Sequence, residues 1–163
     1  MSSPAGALTV RVAWVRAGAV LAAILVADQL VKQIVTSALD RGQQETIVGG
    51  VKIVNVRNTG VAFGQLQDGG AILALIISVA IVALLVFFAR QWRRRWMWLA
   101  TGLLLGGALG NIADRIREGA VVDFLKLPHW PAFNVADASI TIGVVVLLVV
   151  IERAERARAR ACA

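Results

Sequence analysis

The chain has 163 residues, of which 58% are hydrophobic and 17% charged, with a mean hydropathy of +0.74. A water-soluble domain carries about 45–50% apolar and about 25% charged residues, so this composition excludes a disordered chain and points to one dissolved in lipid. The formal net charge of +7 would raise nucleic acid as a partner, but the placement of the bases along the chain excludes it.

A bilayer core about 30 Å thick takes roughly 20 apolar helical residues. The first such segment, residues 17–35, follows Arg11 and Arg16 and carries Asp28, Gln29 and Lys32 in its second half. Bases ahead of an apolar run imitate a cleavable signal peptide. This run continues into Asp28 and Lys32 with no small-residue cleavage pattern, so it is read as a retained span. Residues 36–70 follow, with a Val/Ile-rich stretch at 46–57 and the turn-like Asn58-Thr59-Gly60, which predict a small β-rich flap on the membrane surface. Residues 71–89 form an uncharged second span. Arg90, Arg93, Arg94 and Arg95 fill the turn into a third, residues 96–112, and Trp92, Trp96 and Trp98 flank that turn as interfacial indoles do. Within the third span Gly102, Gly106 and Gly110 recur every four residues beside Gly107, a spacing that lets transmembrane helices approach closely. Pro128 and Pro131 in residues 113–134 exclude a continuous helix into the fourth span, residues 135–151. No long-period repeat or low-complexity linker divides the chain, so residues 1–163 read as one all-α membrane domain of four transmembrane helices with a β-rich outer flap.

The bases orient these spans. Ten of the 17 lie ahead of span one, in the turn between spans two and three, or after span four, with only Glu152 and Glu155 among them. The positive-inside rule places both termini and the basic turn in the cytoplasm. Segments 36–70 and 113–134 then face outward.

Ionisable groups in or beside spans are costly, and they mark function by default. Here they gather at one depth. Asp28 and Lys32 lie four apart in the outer half of span one; Asn111, Asp114 and Arg115 end span three, with Asn111 and Arg115 on one face. Asp123 sits in the apolar run Val121-Val122-Asp123-Phe124-Leu125, and Asn134 and Asp137 open span four. Bland roles exist for several: Asp28 with Lys32 as a local ion pair, Asn111 and Arg115 as capping and snorkelling groups, Asn134 as a helix cap. Asp123 and Asp137, two carboxylates in apolar settings, are harder to dismiss. Close carboxylates in low dielectric share one proton, so one can act as base toward water while the other polarises a carbonyl. That is aspartic-protease chemistry. It requires no metal, cysteine or histidine, in keeping with a chain whose single histidine, His129, reads as a loop residue and whose single cysteine, Cys162, lies in a basic tail.

Four blocks in order resemble one family, lipoprotein signal peptidase (signal peptidase II). They are Asp28-Gln29-Leu30-Val31-Lys32; Asn55 to Phe63 with its Asn58-Thr59-Gly60-Val61-Ala62-Phe63; Gly106 to Arg115 continuing through Gly119 to Asp123-Phe124; and Phe133-Asn134-Val135-Ala136-Asp137. They span about two-thirds of the chain, while the termini are unmatched. The resemblance implies an aspartic endopeptidase of the bacterial cytoplasmic membrane that works at the outer face without a cofactor. It cleaves diacylglyceryl-modified prolipoproteins just before the lipidated cysteine. Asp123 and Asp137 fall on the catalytic positions, and Asp28, Lys32, Asn58, Asn111, Arg115 and Asn134 on positions that support or line the site. One chain holds every part, so a monomer in contact with membrane lipid is expected. The rival from another class is a small four-span transporter or channel subunit with Asp28, Asp114, Asp123 and Asp137 as a relay, but the inner halves of all four spans lack the charges such a path needs. A structural subunit docking a partner through the polar cluster leaves the two carboxylates without a reason.

Overall fold

A computed structural model of the chain describes residues 9–60 and 69–161. Helix α1 runs over Val10–Ala38 and extends the expected first span at both ends. The Thr9 hydroxyl starts it by accepting from the Val12 N–H at 3.4 Å, and it stops where Leu39 turns to extended backbone. At about 1.5 Å per residue this helix exceeds the roughly 30 Å of a hydrocarbon core, so its ends reach the headgroup layers.

The expected β-rich stretch is a hairpin of β1 (Gln44–Val48) and β2 (Val51–Asn58), paired antiparallel. Its turn is Gly49-Gly50, with φ of 58° and 82°, the left-handed pair that a two-residue hairpin favours and side chains resist. Helices α2 (Gly69–Gln91) and α3 (Met97–Glu118) follow. Strand β3 (Val121–Lys126) then pairs antiparallel with β2 and completes a three-stranded sheet in the order β1-β2-β3. Val121 to Phe124 are all buried, so β3 is covered on both faces and shows no alternation for a sequence pattern to reveal. The last helix, α4, covers Val135–Ala161. The chain is thus mostly helical, with the sheet at one end.

Helix α3 is central, packed against α1 and α4. Its glycines permit the approach. A Cβ on Gly102 would lie 2.6 Å from the Val20 Cβ, and one on Gly106 would lie 2.9 Å from the Leu21 carbonyl oxygen. The adjacent Gly107 serves the other side, where a Cβ would meet the Ala136 carbonyl oxygen at 2.5 Å. The four-residue stripe therefore seats α1, and its neighbour seats α4. At the other end of the bundle Ala13, Ala17, Phe88, Met97 and Val150 form an apolar core, with Trp14 edge-on to Phe88 at 4.7 Å between ring centres.

Polarity is distributed inside out. Ile34, Leu75, Val79 and Leu148 are each about 60% exposed, whereas Asp28, Lys32, Asn111, Asp114, Asp123 and Asn134 are buried. Apolar side chains facing outward around a polar interior suit a lipid solvent. Helices α1 and α4, at mean hydropathies of 1.9 and 2.3, are long and apolar enough to cross a membrane. Helix α2 spans 23 residues, of which Leu75–Gln91 form the described apolar stretch, and α3 ends in charged residues; among the described residues α1 and α4 meet the length and hydropathy of a crossing helix.

Candidate active site

Asp28 and Lys32 are one helical turn apart on α1, and their side chains point into the bundle. The Lys32 Nζ lies 2.7 Å from the Asp28 Oδ2 and 2.7 Å from the Asp114 Oδ2, and it donates to the Asn111 Oδ1 at 3.2 Å. The other Asp28 oxygen accepts the Ala136 N–H at 2.9 Å, at the first turn of α4, where free N–H groups and the helix dipole favour an anion. Asp114 accepts the Val122 N–H at 3.1 Å and the Gln29 Nε2 at 3.0 Å. One ammonium is thus shared by two buried carboxylates, whose other partners are N–H donors, and the cluster ties together α1, α3, α4 and β3. Such a group is tolerated in low dielectric only when its members satisfy one another, as these do.

The Asn111 Nδ2 donates to the Asp137 Oδ1 at 2.8 Å. Asn134, immediately before α4, caps it: its Oδ1 accepts the Asp137 N–H at 2.8 Å, and its own N–H donates to the Asp137 Oδ2 at 3.4 Å. This reciprocal capping box orients the Asp137 carboxyl. The Asn134 Nδ2 also donates to the Asp123 Oδ1 at 2.8 Å and to the Asn111 Oδ1 at 3.2 Å. From the hairpin, the Asn58 Nδ2 donates to the Asp123 Oδ2 at 3.0 Å. Strand register makes that contact possible. Asn58 pairs with Val121, so Asp123, two residues on, emerges on the same face within reach of a diagonal contact. The Asn58 Oδ1 meanwhile accepts the Gly60 N–H at 2.9 Å, which sets the orientation of its amide.

Each oxygen of Asp123 therefore receives one amide donor, yet burial raises its pKa from 3.8 to about 6. The Asn58 hydrogen bond opposes that rise; the nearby Asp137 carboxylate adds to it, and Asn134 and Lys32 hold it down. A carboxyl titrating near neutrality beside a second carboxyl can hold or release a proton in the working range.

Seven of the eight residues singled out from sequence (Asp28, Lys32, Asn58, Asn111, Asp123, Asn134 and Asp137) join in one hydrogen-bonded network. Arg115 stands apart: among the described residues its guanidinium donates only to the Asn111 carbonyl oxygen of its own helix, at 3.4 Å. The residue that shares the inward face with Asn111 is Asp114, three positions on. Sequence reasoning left Asp114 and Gln29 out of the site, although the i, i+3 spacing that brings Asp114 beside Asn111 was there to use. Val61, Ala62 and Phe63 of the second motif, and Cys162, lie outside the described residues. His129 has a left-handed backbone, φ 60°, in the loop between β3 and α4.

An apolar-faced helical frame around two carboxyls joined through asparagine amides is an arrangement suited to acid–base chemistry inside a membrane protein. The chain belongs to the signal peptidase II family: the family profile described as Signal peptidase (SPase) II matches residues 20–152. It is 41% identical over 150 residues to a lipoprotein signal peptidase of Geobacter sulfurreducens, covering 86% of this chain and 94% of that one. With a lipoprotein signal peptidase of Halothermothrix orenii the identity is 38% over 135 residues, covering 82% and 92%. A solved bacterial membrane enzyme, obtained by the in meso method, superposes with a TM-score of 0.77 at 32% identity over 83% of this chain and 91% of that one. The protein is accordingly a bacterial membrane peptidase.

Proposed function

We propose that the protein removes the signal peptide from lipoprotein precursors, cutting just before a diacylglyceryl-modified cysteine, with Asp123 and Asp137 as the catalytic pair. The observation that carries this is the Asn134 amide, which donates to Asp123 at 2.8 Å while its residue caps the helix that presents Asp137. The pair shares one proton. The ionised carboxylate takes a proton from water as its oxygen attacks the scissile carbonyl, and the protonated partner donates to the carbonyl oxygen. The proton gained from water then passes to the departing nitrogen as the C–N bond breaks, while a hydroxyl of the tetrahedral diol returns its proton to the partner carboxylate as the carbonyl re-forms. Asn58, Asn111 and Asn134 hold the carboxyls in place, and Asp28 with Lys32 anchors the helices that carry them. Arg115, at the rim, is left to face substrate.

The same reading takes all four helices as spans. The basic turn between α2 and α3 and the basic end of α4 lie in the cytoplasm, as the positive-inside rule requires, so the site opens at the outer face of the cytoplasmic membrane. The substrate's acyl chains rest against the apolar outer surface of the helices, and the β1–β2 hairpin covers the site against water. One chain supplies every group, so a monomer suffices.

The test is cleavage of a purified lipobox precursor, with and without its diacylglycerol, by protein in detergent. Cleavage of the lipidated form alone is expected, with Asp123→Asn and Asp137→Asn each lowering the rate about 10³-fold or more at unchanged fold. Near-normal cleavage by either variant overturns the pair. Equal cleavage of both substrate forms overturns the substrate class.

A further inference from the structure

The end of the molecule away from the carboxyl pair holds a second cavity, of about 640 Å³, between the α2–α3 turn and the later turns of α4. Trp96 lies 15 residues before Asn111 on the central helix, about 22 Å along its axis, so this cavity is separate from the site above. Val145 and Val149 wall it from α4, Trp96 closes one side, and Arg94, Arg95 and Arg153 line it with charge. Val145 and Val149 are exposed, on a helix long and apolar enough to contact lipid.

Among the described residues none of the three arginines is paired with a carboxylate. The neighbouring Glu152 is taken by Arg156 instead. Arg95 lies over the Trp96 ring at 5.4 Å. Trp96 itself adopts φ 69°, a left-handed backbone that costs a side-chain-bearing residue about 1–2 kcal/mol, as it turns the chain into α3. Orientation in the membrane requires only that bases lie at this end. It does not require three of them, unneutralised, to converge on one apolar trough.

We propose that this groove binds an anionic phospholipid. Its phosphate is held by Arg94, Arg95 and Arg153, and its acyl chain lies along Val145 and Val149. Charge complementarity selects the headgroup, and the apolar wall selects a lipid over a soluble phosphate. The lipid then bridges the α2–α3 turn to α4.

Native mass spectrometry of the protein in detergent tests this with phosphatidylglycerol against phosphatidylcholine of matched chains. Phosphatidylglycerol should be retained about tenfold more, and the preference should vanish in Arg94→Gln/Arg95→Gln/Arg153→Gln. Arg11→Gln/Arg158→Gln/Arg160→Gln removes as much charge from the same end, outside the groove, and should keep it. Val149→Trp fills the trough with every charge intact and should reduce retention. Equal loss in the two triple variants overturns the proposal in favour of diffuse attraction. Displacement of the lipid by millimolar glycerol 3-phosphate, or no effect of Val149→Trp, overturns it in favour of a phosphate site. Retention is read without turnover, so peptidase activity serves separately as the check on fold.

Discussion

Asp123 is held in tension between burial, which favours its protonated form, and two amide donors, which favour the anion. Each partner shifts its titration in a determined direction. The free protein should show a carboxyl titrating near pH 6. Asn58→Ala deletes a hydrogen bond to the anion and should move that step upward, and Asp137→Asn deletes a like charge and should move it downward. Isotope-edited infrared titration of the carboxyl band checks both signs; movement in the same direction in both variants would sink this account. The raised pKa also bears on stability. Folded Asp123 keeps its proton to about 6, whereas the unfolded group loses it near 3.8, so its contribution is intact below about pH 4 and is lost as pH rises through 6. Asp123→Asn carries no such dependence. Its unfolding midpoint should gain on the parent between pH 4 and 7, and a constant gap across that range would contradict the linkage.

At the scale of elements, α3 works because one of its faces lacks side chains. A Cβ on Gly106 would meet the Leu21 backbone oxygen and the Ile24 Cβ at 2.9 Å, atoms that cannot swing aside. Gly106→Ala should therefore push α1 from α3 and cost about 1–3 kcal/mol, read by thermal unfolding in detergent. On α1, a Cβ at Gly18 would meet nothing within 4 Å, so Gly18→Ala is the control and should be neutral or slightly stabilising. The hairpin has a comparable division of labour. Gly49-Gly50 turns β1 into β2, and the register of β2 on β3 brings Asn58 to Asp123.

Across the whole molecule, the buried charges act as a fastener. Lys32 touches Asp28 of its own helix and Asp114 and Asn111 of α3, while those carboxylates bind N–H groups of α4 and β3. Lys32→Met would leave two carboxylates without their cation in low dielectric. The expected loss is about 3–5 kcal/mol, with the carboxyl pair disordered along with the network. A melting point within a degree or two of the parent would show that the ammonium is dispensable. Both the proposed catalytic site and the lipid groove belong to this scale, since each is made by elements distant in sequence, at opposite ends of α3.

The family and most members of the buried polar network were legible in the chain, because carboxylates and asparagines in apolar runs are costly and stand out against them. All four helices were legible as apolar runs, and the Gly102–Gly110 stripe correctly marked close packing. The hairpin showed only as β-rich sequence, its turn at Gly49-Gly50 unremarked. Strand β3 was invisible, since burial of both faces erases the alternation that identifies a strand. Sequence spacing alone set Arg115 beside Asn111, at one helical turn. Tertiary packing turned Asp114 inward instead, because Lys32 on α1 supplies a cation there and Arg115, unmatched inside, keeps to the rim. Composition and local pattern determine which groups lipid will not tolerate exposed. Only the packing of four helices and a sheet decides which of those groups meet, because a contact between residues up to 108 positions apart depends on helix rotation and strand register that no local pattern contains.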